Sequence, residues 1–94
     1  MTKFHLHLVS DSTGDTLLSL SSAALAQFED VESDRHMWPM IRSEIYMAKV
    51  IAAIEANPGL VMFTLVDHNL RQILWDECRR LQAPCVPVLD PIIG

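Results

Sequence analysis

The sequence predicts an α/β fold, a three-layer sandwich in which a four-stranded, mostly parallel sheet lies between helices. Short segments rich in strand-forming residues alternate with segments whose apolar residues recur every three or four positions. The order is β-α-β-α-β-α-β, and such alternation implies parallel strands joined by right-handed crossovers. The length of 94 residues suits one domain, so residues 1–94 are assigned to a single α/β domain.

The first half of the chain contains two predicted strands and one helix. Apolar and polar residues alternate over residues 4–9, which indicates a strand. A helical period then begins at Leu17 and runs for about 14 residues to Phe28. Residues 35–40, "RHMWPM", form a weaker strand, in which Pro39 should lie near the strand's end or on a sheet edge because it lacks an amide donor.

The second half repeats the alternation. Ser43 is a plausible N-cap for a helix that Asn57-Pro58-Gly59 terminates. Residues 60–66, "LVMFTLV", are nearly all apolar and suit a strand buried on both faces. Asp67 is placed to cap a third helix that ends before Pro84, and residues 85–89 form a fourth strand that Pro87 weakens.

We favour the flavodoxin-like strand order 2-1-3-4, which puts the first strand in the middle of the sheet. His5 and His7 are unexpected there, because a central parallel strand is usually apolar on both faces. At the other end of the chain, Ile92 and Ile93 have no partner in this scheme. We therefore expect the sequence to be the N-terminal fragment of a longer, two-domain protein.

The net charge of −5 argues against a nucleic-acid or membrane partner, because both require clustered positive charge. No apolar run approaches the roughly 18 residues of a membrane span, and no signal peptide is visible. Cys78 and Cys85 form no C-x-x-C motif and are interpreted as small, mostly buried thiols in a reducing compartment. The sequence thus predicts a cytoplasmic protein.

Polar residues follow each predicted strand, and in an open parallel sheet ligands bind beyond the carboxyl ends of the strands. Because those ends lie at one edge of the sheet, we expect the polar segments to meet there. They are residues 10–16, 41–43 and 67–69, together with Asp90.

The segment "SDSTGDT" permits two interpretations. Helix-start amides beside Ser12, Thr13 and Gly14 could hold an anion, and Arg42 at the same edge could pair with a phosphate or carboxylate. However, the segment lacks the lysine of a phosphate-binding loop, and its two aspartates would repel phosphate. Helix capping by Ser12 or Thr13 is therefore the favoured interpretation of the segment. For Arg42, the alternative to pairing with an anion is a solvated position on the surface.

Two enzymatic alternatives are weaker. Ser12 in an Asp-Ser-Thr-Gly setting is similar to an esterase nucleophile, but no D-x-x-H supplies the base and His68 is the only histidine near this edge. Asp11, Asp67 and Asp90 could gather around Mg²⁺, although separate capping and turn roles are the better account. His5 and His7 share a strand face but have no third ligand, so no metal site is predicted.

Four segments together are similar to one known family: "HLVSDSTGDT", "HMWPMIR", "IEANPGLVMFTLVD" and "ECRRLQAPCVPVLDP". The chain resembles, over essentially all of its length, the N-terminal part of the bacterial pyruvate, phosphate dikinase regulatory proteins, also called phosphoenolpyruvate synthase regulatory proteins. The Ser-Asp-Ser-Thr-Gly turn and the Asn-Pro-Gly turn are the most specific features of the match.

The resemblance implies a bifunctional serine/threonine kinase and phosphorylase that acts in the cytoplasm as a homodimer. Such a protein phosphorylates a threonine of the dikinase or synthase with ADP, and it removes that phosphate with inorganic phosphate, releasing pyrophosphate. The resemblance places the nucleotide-binding loop in a C-terminal domain beyond Gly94. This chain alone is then expected to bind no cofactor, to contain no catalytic residue and to be inactive.

The resemblance transfers only binding roles to this sequence. The matching positions, expected to hold phosphate or the target's threonine loop, are Ser10, Asp11, Ser12, Thr13, Gly14, Arg42 and Asp67. Asp90 matches a further acidic position. The alternative function is a stand-alone α/β module that binds a phosphorylated ligand at the carboxyl edge of the strands.

Overall fold

The computed structural model describes residues 2–27 and 31–88. Its elements follow the order β1-α1-β2-α2-β3-α3-β4, which confirms the predicted alternation. They are β1 (Thr2–Ser10), α1 (Asp15–Leu25), β2 (Val31–Trp38), α2 (Glu44–Ala56), β3 (Gly59–Thr64), α3 (His68–Leu81) and β4 (Cys85–Pro87).

The four strands form one parallel sheet in the order β2-β1-β3-β4, as predicted. β1 is central: it pairs with β2 over Thr2↔Val31 to Val9↔Trp38, and with β3 over His5↔Gly59 to Ser10↔Thr64. The strand order reverses between β1 and β3. From β1 the chain passes through α1 to β2 at one edge of the sheet, and from β3 it passes through α3 to β4 at the other edge. This reversal is the place where open α/β sheets bind ligands.

Alternate residues of β1 face opposite sides of the sheet and belong to two separate cores. Leu6 and Leu8 pack with Leu17 of α1 on one side. On the other side, Val9 joins a larger cluster that contains Ile54 of α2 and Leu74 of α3. The sheet therefore lies between α1 and the α2–α3 pair, which confirms the three-layer sandwich.

Two helices begin at the predicted caps. The Ser43 hydroxyl accepts a hydrogen bond from the amide of Tyr46, and the Asp67 carboxylate accepts one from the amide of Leu70. These caps fix the starts of α2 and α3 at the edge where the strands end. Among the described residues, the longest helix has 14 residues, and none has the length and apolar character needed to cross a membrane.

Element boundaries in the first half differ from the prediction. β2 begins four residues earlier than predicted and ends at Trp38, before Pro39. The polar residues 32–34 hid its start, but they are tolerated because β2 is an edge strand. Pro39 thus lies next to the strand's end, as predicted. α1 begins at Asp15, two residues before the first apolar position, and Phe28 lies outside the described residues.

In the second half of the chain, the observed element boundaries lie closer to the predicted ones. β3 begins at Gly59, where an added Cβ would lie 2.0 Å from the carbonyl oxygen of His5, so the close approach of β1 and β3 requires glycine. β3 ends at Thr64, two residues before the predicted end. β4 spans three residues and includes Pro87, whereas the prediction extended to Leu89, which lies outside the described residues.

Candidate functional site

The turn after β1 is organised by Ser10, whose side chain is fully buried. Its hydroxyl oxygen accepts hydrogen bonds from the amide of Ser12 at 3.1 Å and from the hydroxyl of Thr64 at 3.0 Å. With both lone pairs occupied, the Ser10 proton is directed to the Ser12 hydroxyl, 3.1 Å away. Ser10 is therefore a structural residue, and the exposed side chains of the turn are those of Ser12 and Thr13.

Asp11 connects the turn to the loop after β3. Its carboxylate accepts a hydrogen bond of 2.7 Å from the amide of Val66, and its own amide donates to the carbonyl of Thr64 at 3.3 Å. The carbonyl of Asp11 accepts a longer bond, 3.4 Å, from Nε of the exposed Arg42. Because one carboxylate oxygen binds the protein's own backbone, the charge of Asp11 is partly satisfied within the fold.

The loop after β2 is attached to the same turn. The amide of Met40 donates to the carbonyl of Ser12 at 2.8 Å, and the amide of Ile41 donates to that of Ser10 at 3.0 Å. Met40 has φ 57°, a left-handed conformation that turns the chain after Pro39. The loops after β1, β2 and β3 consequently meet at one edge, which we call the carboxyl rim and define as residues 10–14, 40–42 and 64–67.

Gly14 starts α1, and the predicted capping by Ser12 or Thr13 is wrong. The N-cap residue is Gly14 itself, with φ 82° and no side-chain hydrogen bond to the first turn. The Ser12 hydroxyl is instead engaged with Ser10. An added Cβ at Gly14 would lie 2.5 Å from Cε of Met37, so both the backbone conformation and the packing favour glycine here.

The start of α1 consequently has amides available to a ligand. The first backbone bond into the helix runs from Leu18 to Gly14, and helix geometry gives residues 15–17 no intrahelical acceptor. These amides and the helix dipole attract anions, and the hydroxyls of Ser12 and Thr13 are adjacent. The nearby exposed carboxylates of Asp15 and Asp67 oppose that attraction.

The structure brings together most of the residues predicted for the site. Ser10 to Gly14 and Arg42 are joined by the contacts above. Asp67 follows Val66 in the adjoining loop, where its carboxylate caps α3 at 2.9 Å from the Leu70 amide and so has a structural role. Asp90 lies outside the described residues.

The two enzymatic alternatives gain nothing from the geometry. In the part of the chain that the structure describes, no group of three or more histidine, cysteine or acidic residues could hold a metal ion. Asp11 and Asp67 have the separate structural roles that the sequence favoured. The Ser12 hydroxyl is hydrogen-bonded to the hydroxyl of Ser10. Among the described residues, no histidine forms a hydrogen bond with it.

Sequence reasoning missed a histidine cluster on the α2–α3 side of the sheet. His7 is fully buried and lies opposite His36, whose ring stacks on it with centroids 4.7 Å apart. The indole of Trp38 donates to Nδ1 of His7 at 3.2 Å, so the ring proton is on Nε2, which donates to the carbonyl of Asn57 at 2.8 Å. Burial lowers the pKa of His7, and the neighbouring His36 and His5 lower it further, against the hydrogen bond to Asn57.

Comparison with known proteins adds an independent observation. A family model described as kinase/pyrophosphorylase matches residues 6–94. Three similar relatives bear the name pyruvate, phosphate dikinase regulatory protein. The relative from Erythrobacter litoralis is 50% identical over 92 residues, that from Paramagnetospirillum magneticum 50% over 94 residues, and that from Brucella anthropi 43% over 94 residues.

The matches cover nearly all of this chain but only part of each relative. They include 98% to 100% of the chain, against 33%, 30% and 34% of the three relatives, respectively. The chain therefore spans about one third of the length of the curated relatives that it matches.

Proposed function

The chain belongs to the kinase/pyrophosphorylase family, and from this premise we propose that it is the N-terminal domain of a regulator of pyruvate, phosphate dikinase or phosphoenolpyruvate synthase. The proposed regulator phosphorylates a threonine of its target with ADP and so inactivates it. It restores the target by transferring the phosphate to inorganic phosphate, which releases pyrophosphate. The observation that carries the proposal is the match over residues 6–94, together with the names of relatives up to 50% identical.

Within that reaction we assign these 94 residues a binding role. The nucleotide-binding loop is expected in the C-terminal part of the longer protein, together with the groups that perform phosphoryl transfer. The carboxyl rim would hold the phosphate or the threonine loop of the target, using the guanidinium of Arg42, the hydroxyls of Ser12 and Thr13 and the first amides of α1.

Three features of the rim support this assignment. Its loops are fixed to one another by backbone hydrogen bonds, so the binding groups are held in place before a ligand arrives. Arg42 is exposed, and its long contact to Asp11 can be exchanged for a shorter one to a phosphate. The groups also lie at the change of sheet direction, where folds of this kind bind ligands.

The proposed setting is a homodimer in the bacterial cytoplasm. A reducing compartment agrees with two cysteines that are both free thiols.

The test is a chimera in which this chain replaces the matching third of the Erythrobacter litoralis relative. We expect the chimera to inactivate pyruvate, phosphate dikinase in an ADP-dependent reaction and to reactivate it with phosphate, as the parent relative should. Arg42→Gln in the chimera should lower both rates by roughly tenfold, because a charge-assisted contact to phosphate is lost. Arg80→Gln is the matched control, since Arg80 pairs with Glu77 on α3, away from the rim.

Two results would contradict the proposal. If the chimera folds but performs neither reaction while the parent relative is active, this chain is not the N-terminal domain of such a regulator. An unchanged rate for Arg42→Gln would remove the binding role of the rim. The 94-residue chain alone should bind no ADP, and saturable binding of inorganic phosphate to it, lost in Arg42→Gln, would instead favour the stand-alone phosphate-binding module.

A further inference from the structure

The side of the sheet that α1 covers has an open apolar groove of about 290 Å³, which we call the α1-side groove. It lies between the C-terminal half of α1 and the facing residues of β1 and β3, and its apolar lining residues are Phe4, Leu6, Ala24, Leu25, Leu60 and Met62. Among the described lining residues Ser21 alone has a polar side chain, and its hydroxyl donates to the carbonyl of Leu18 at 3.0 Å within α1. Because the groove presents no unmatched polar side chain, its occupant should be apolar.

The groove is open because one helix is too narrow to cover this side of the sheet. Four strands at a spacing of about 4.8 Å make a sheet roughly 19 Å wide, whereas one helix is about 10 Å across. The helices α2 and α3 share the other side, but in the described ranges 2–27 and 31–88 α1 is alone on this one. The open part lies toward β4, where Val86 pairs with the half-buried Met62 and is 42% exposed.

The chain leaves β4 on the side of this groove. The amide of Val88 donates to the carbonyl of Phe63 at 2.8 Å, so residue 88 still follows the edge of β3. Its side chain packs against the core cluster on the α1 side, which contains Leu6, Leu8 and Leu17. The last described residue is therefore already attached to the layer that contains the groove.

The handedness of the fold directs a returning segment to the same side. Right-handed crossovers place α1 on one side of the sheet and α2 and α3 on the other, because the connection from β1 to β2 crosses the sheet in the opposite direction to the two later ones. A segment that leaves β4 at the edge and returns toward β1 runs in the direction of the connection from β1 to β2. The same hand then places it on the α1 side, over the groove.

The sequence after β4 can supply such a segment. Asp90 followed by Pro91 is a signature of a helix start, because aspartate caps helices and proline suits the first helical position. Ile92 and Ile93, which have no partner in the predicted scheme, come next. The curated relatives are about three times as long as the chain, so a protein of their length has ample sequence to continue this helix.

We propose that the α1-side groove is an interaction surface within the longer protein, and that its occupant is the segment that begins at Leu89. This segment forms a helix from Pro91, crosses the sheet beside α1 and inserts apolar side chains, Ile92 and Ile93 among them, into the groove. The sheet thereby binds the part of the protein that follows it. The inference rests on the proposed place of this chain as the N-terminal domain of a longer regulator, and not on the chemistry of that regulator.

The experiment uses the chimera with the Erythrobacter litoralis relative, in which the photoreactive amino acid p-benzoylphenylalanine replaces Leu25. Irradiation, proteolysis and mass spectrometry should show an intramolecular cross-link to the roughly 15 residues that start at Leu89, the span of one helix. Ile45, which is 76% exposed on α2, is the control position and should give no link to that segment. The proposal is overturned if position 25 forms no cross-link, or links only to a second chain or to other parts of its own chain.

A second measurement needs no cross-linker. Ile92→Asp combined with Ile93→Asp in the chimera should raise the fluorescence of the dye anilinonaphthalene sulfonate several-fold, because charged side chains oppose burial and leave the groove open to the dye. Ile45→Asp is the matched control and should leave the fluorescence unchanged. Near-ultraviolet circular dichroism is recorded for both variants, so that the dye reports the groove and not unfolding. Equal dye binding by the two folded variants would also overturn the proposal.

The activity of the chimera is measured separately from its cross-links. A chimera that forms the expected cross-link but transfers no phosphate would contradict the proposed function and support the occupant of the groove. A chimera that regulates its target but forms no cross-link from position 25 would overturn the occupant and leave the proposed function standing.

Discussion

The carboxylate of Asp11 accepts a hydrogen bond of 2.7 Å from the backbone amide of Val66, although the two residues are 55 positions apart in sequence. The bond spans the place where the sheet changes direction and joins the loops after β1 and β3. It also explains why an aspartate occurs in a segment that could bind anions: its carboxylate accepts a hydrogen bond from the protein's own backbone. This relationship leads to the first of four predictions.

Asp11→Ala should lower the free energy of unfolding by roughly 1–2 kcal/mol, because the Val66 amide loses a charged acceptor. Asp11→Asn should cost less, since its amide oxygen can still accept the bond. Urea denaturation measures both, and Asp15→Ala, which removes an exposed carboxylate of α1, is the control. The contact has no special importance if Asp15→Ala is as costly as Asp11→Ala.

Ser43→Ala and Asp67→Ala should each cost about 1 kcal/mol, because each removes a side-chain cap. Thr13→Ala, by contrast, should change stability by less than about 0.5 kcal/mol, since α1 has no side-chain cap. The three variants can be compared by urea denaturation under one set of conditions. A loss of 1 kcal/mol or more in Thr13→Ala would show that the capping interpretation of the sequence was right after all.

Gly14→Ala should cost about 1–2 kcal/mol, because alanine is strained at φ 82°. Gly14→Asn is the matched comparison: it adds the same Cβ near Met37, but asparagine tolerates the left-handed conformation better. Thermal or urea unfolding should therefore rank glycine first, asparagine second and alanine third. If asparagine and alanine cost the same, contact with Met37 rather than backbone strain sets the requirement for glycine.

His7 should make the protein less stable in mild acid. Its pKa is lowered in the folded state, so below about pH 6.5 the unfolded chain binds a proton that the folded chain does not. The free energy of unfolding should then fall by up to about 1.4 kcal/mol per pH unit, until the pH reaches the pKa of the folded state. The loss is absent above pH 7, where both states are neutral.

Urea denaturation between pH 7.5 and 5 measures this slope. His7→Gln should flatten it, although the variant is less stable at all pH values because the buried His7 ring makes two hydrogen bonds. His68→Asn, an exposed position at the start of α3, is the control and should leave the slope unchanged. An equal slope in His7→Gln and in the unaltered chain would contradict the assignment to His7.

The sheet and its order could be predicted because β1 alternates apolar and polar residues, β3 is a continuous apolar run and the three helices have clear periodicity. Ser43 and Asp67 are also common capping residues. The start of β2 could not be predicted, because an edge strand exposes polar residues that do not alternate visibly. The true start of α1 was hidden for another reason. Ser12 is a good cap by residue type, but the Ser10 hydroxyl engages it, and only the fold places Ser10 and Thr64 side by side.

The sequence predicted which segments meet at the site, but it did not predict the contacts between their residues. Strand ends indicated which segments would meet, since parallel strands all finish on one side. No periodicity indicates that Met40 donates to Ser12 or that Asp11 binds Val66, because both bonds join residues distant in sequence. The histidines of β1 were likewise unexplained until the pairing with β2 brought His36 and Trp38 alongside them.

The central position of β1 has a consequence for synthesis. β1 is made well before its second neighbour, β3, which begins only at Gly59, and the register joins His5 to Gly59. A ribosome must therefore release more than half of this chain before the inner strand can be enclosed. Until then the apolar residues of β1 are open to a chaperone or to another nascent chain, so aggregation during translation should be governed by the delay between these two segments.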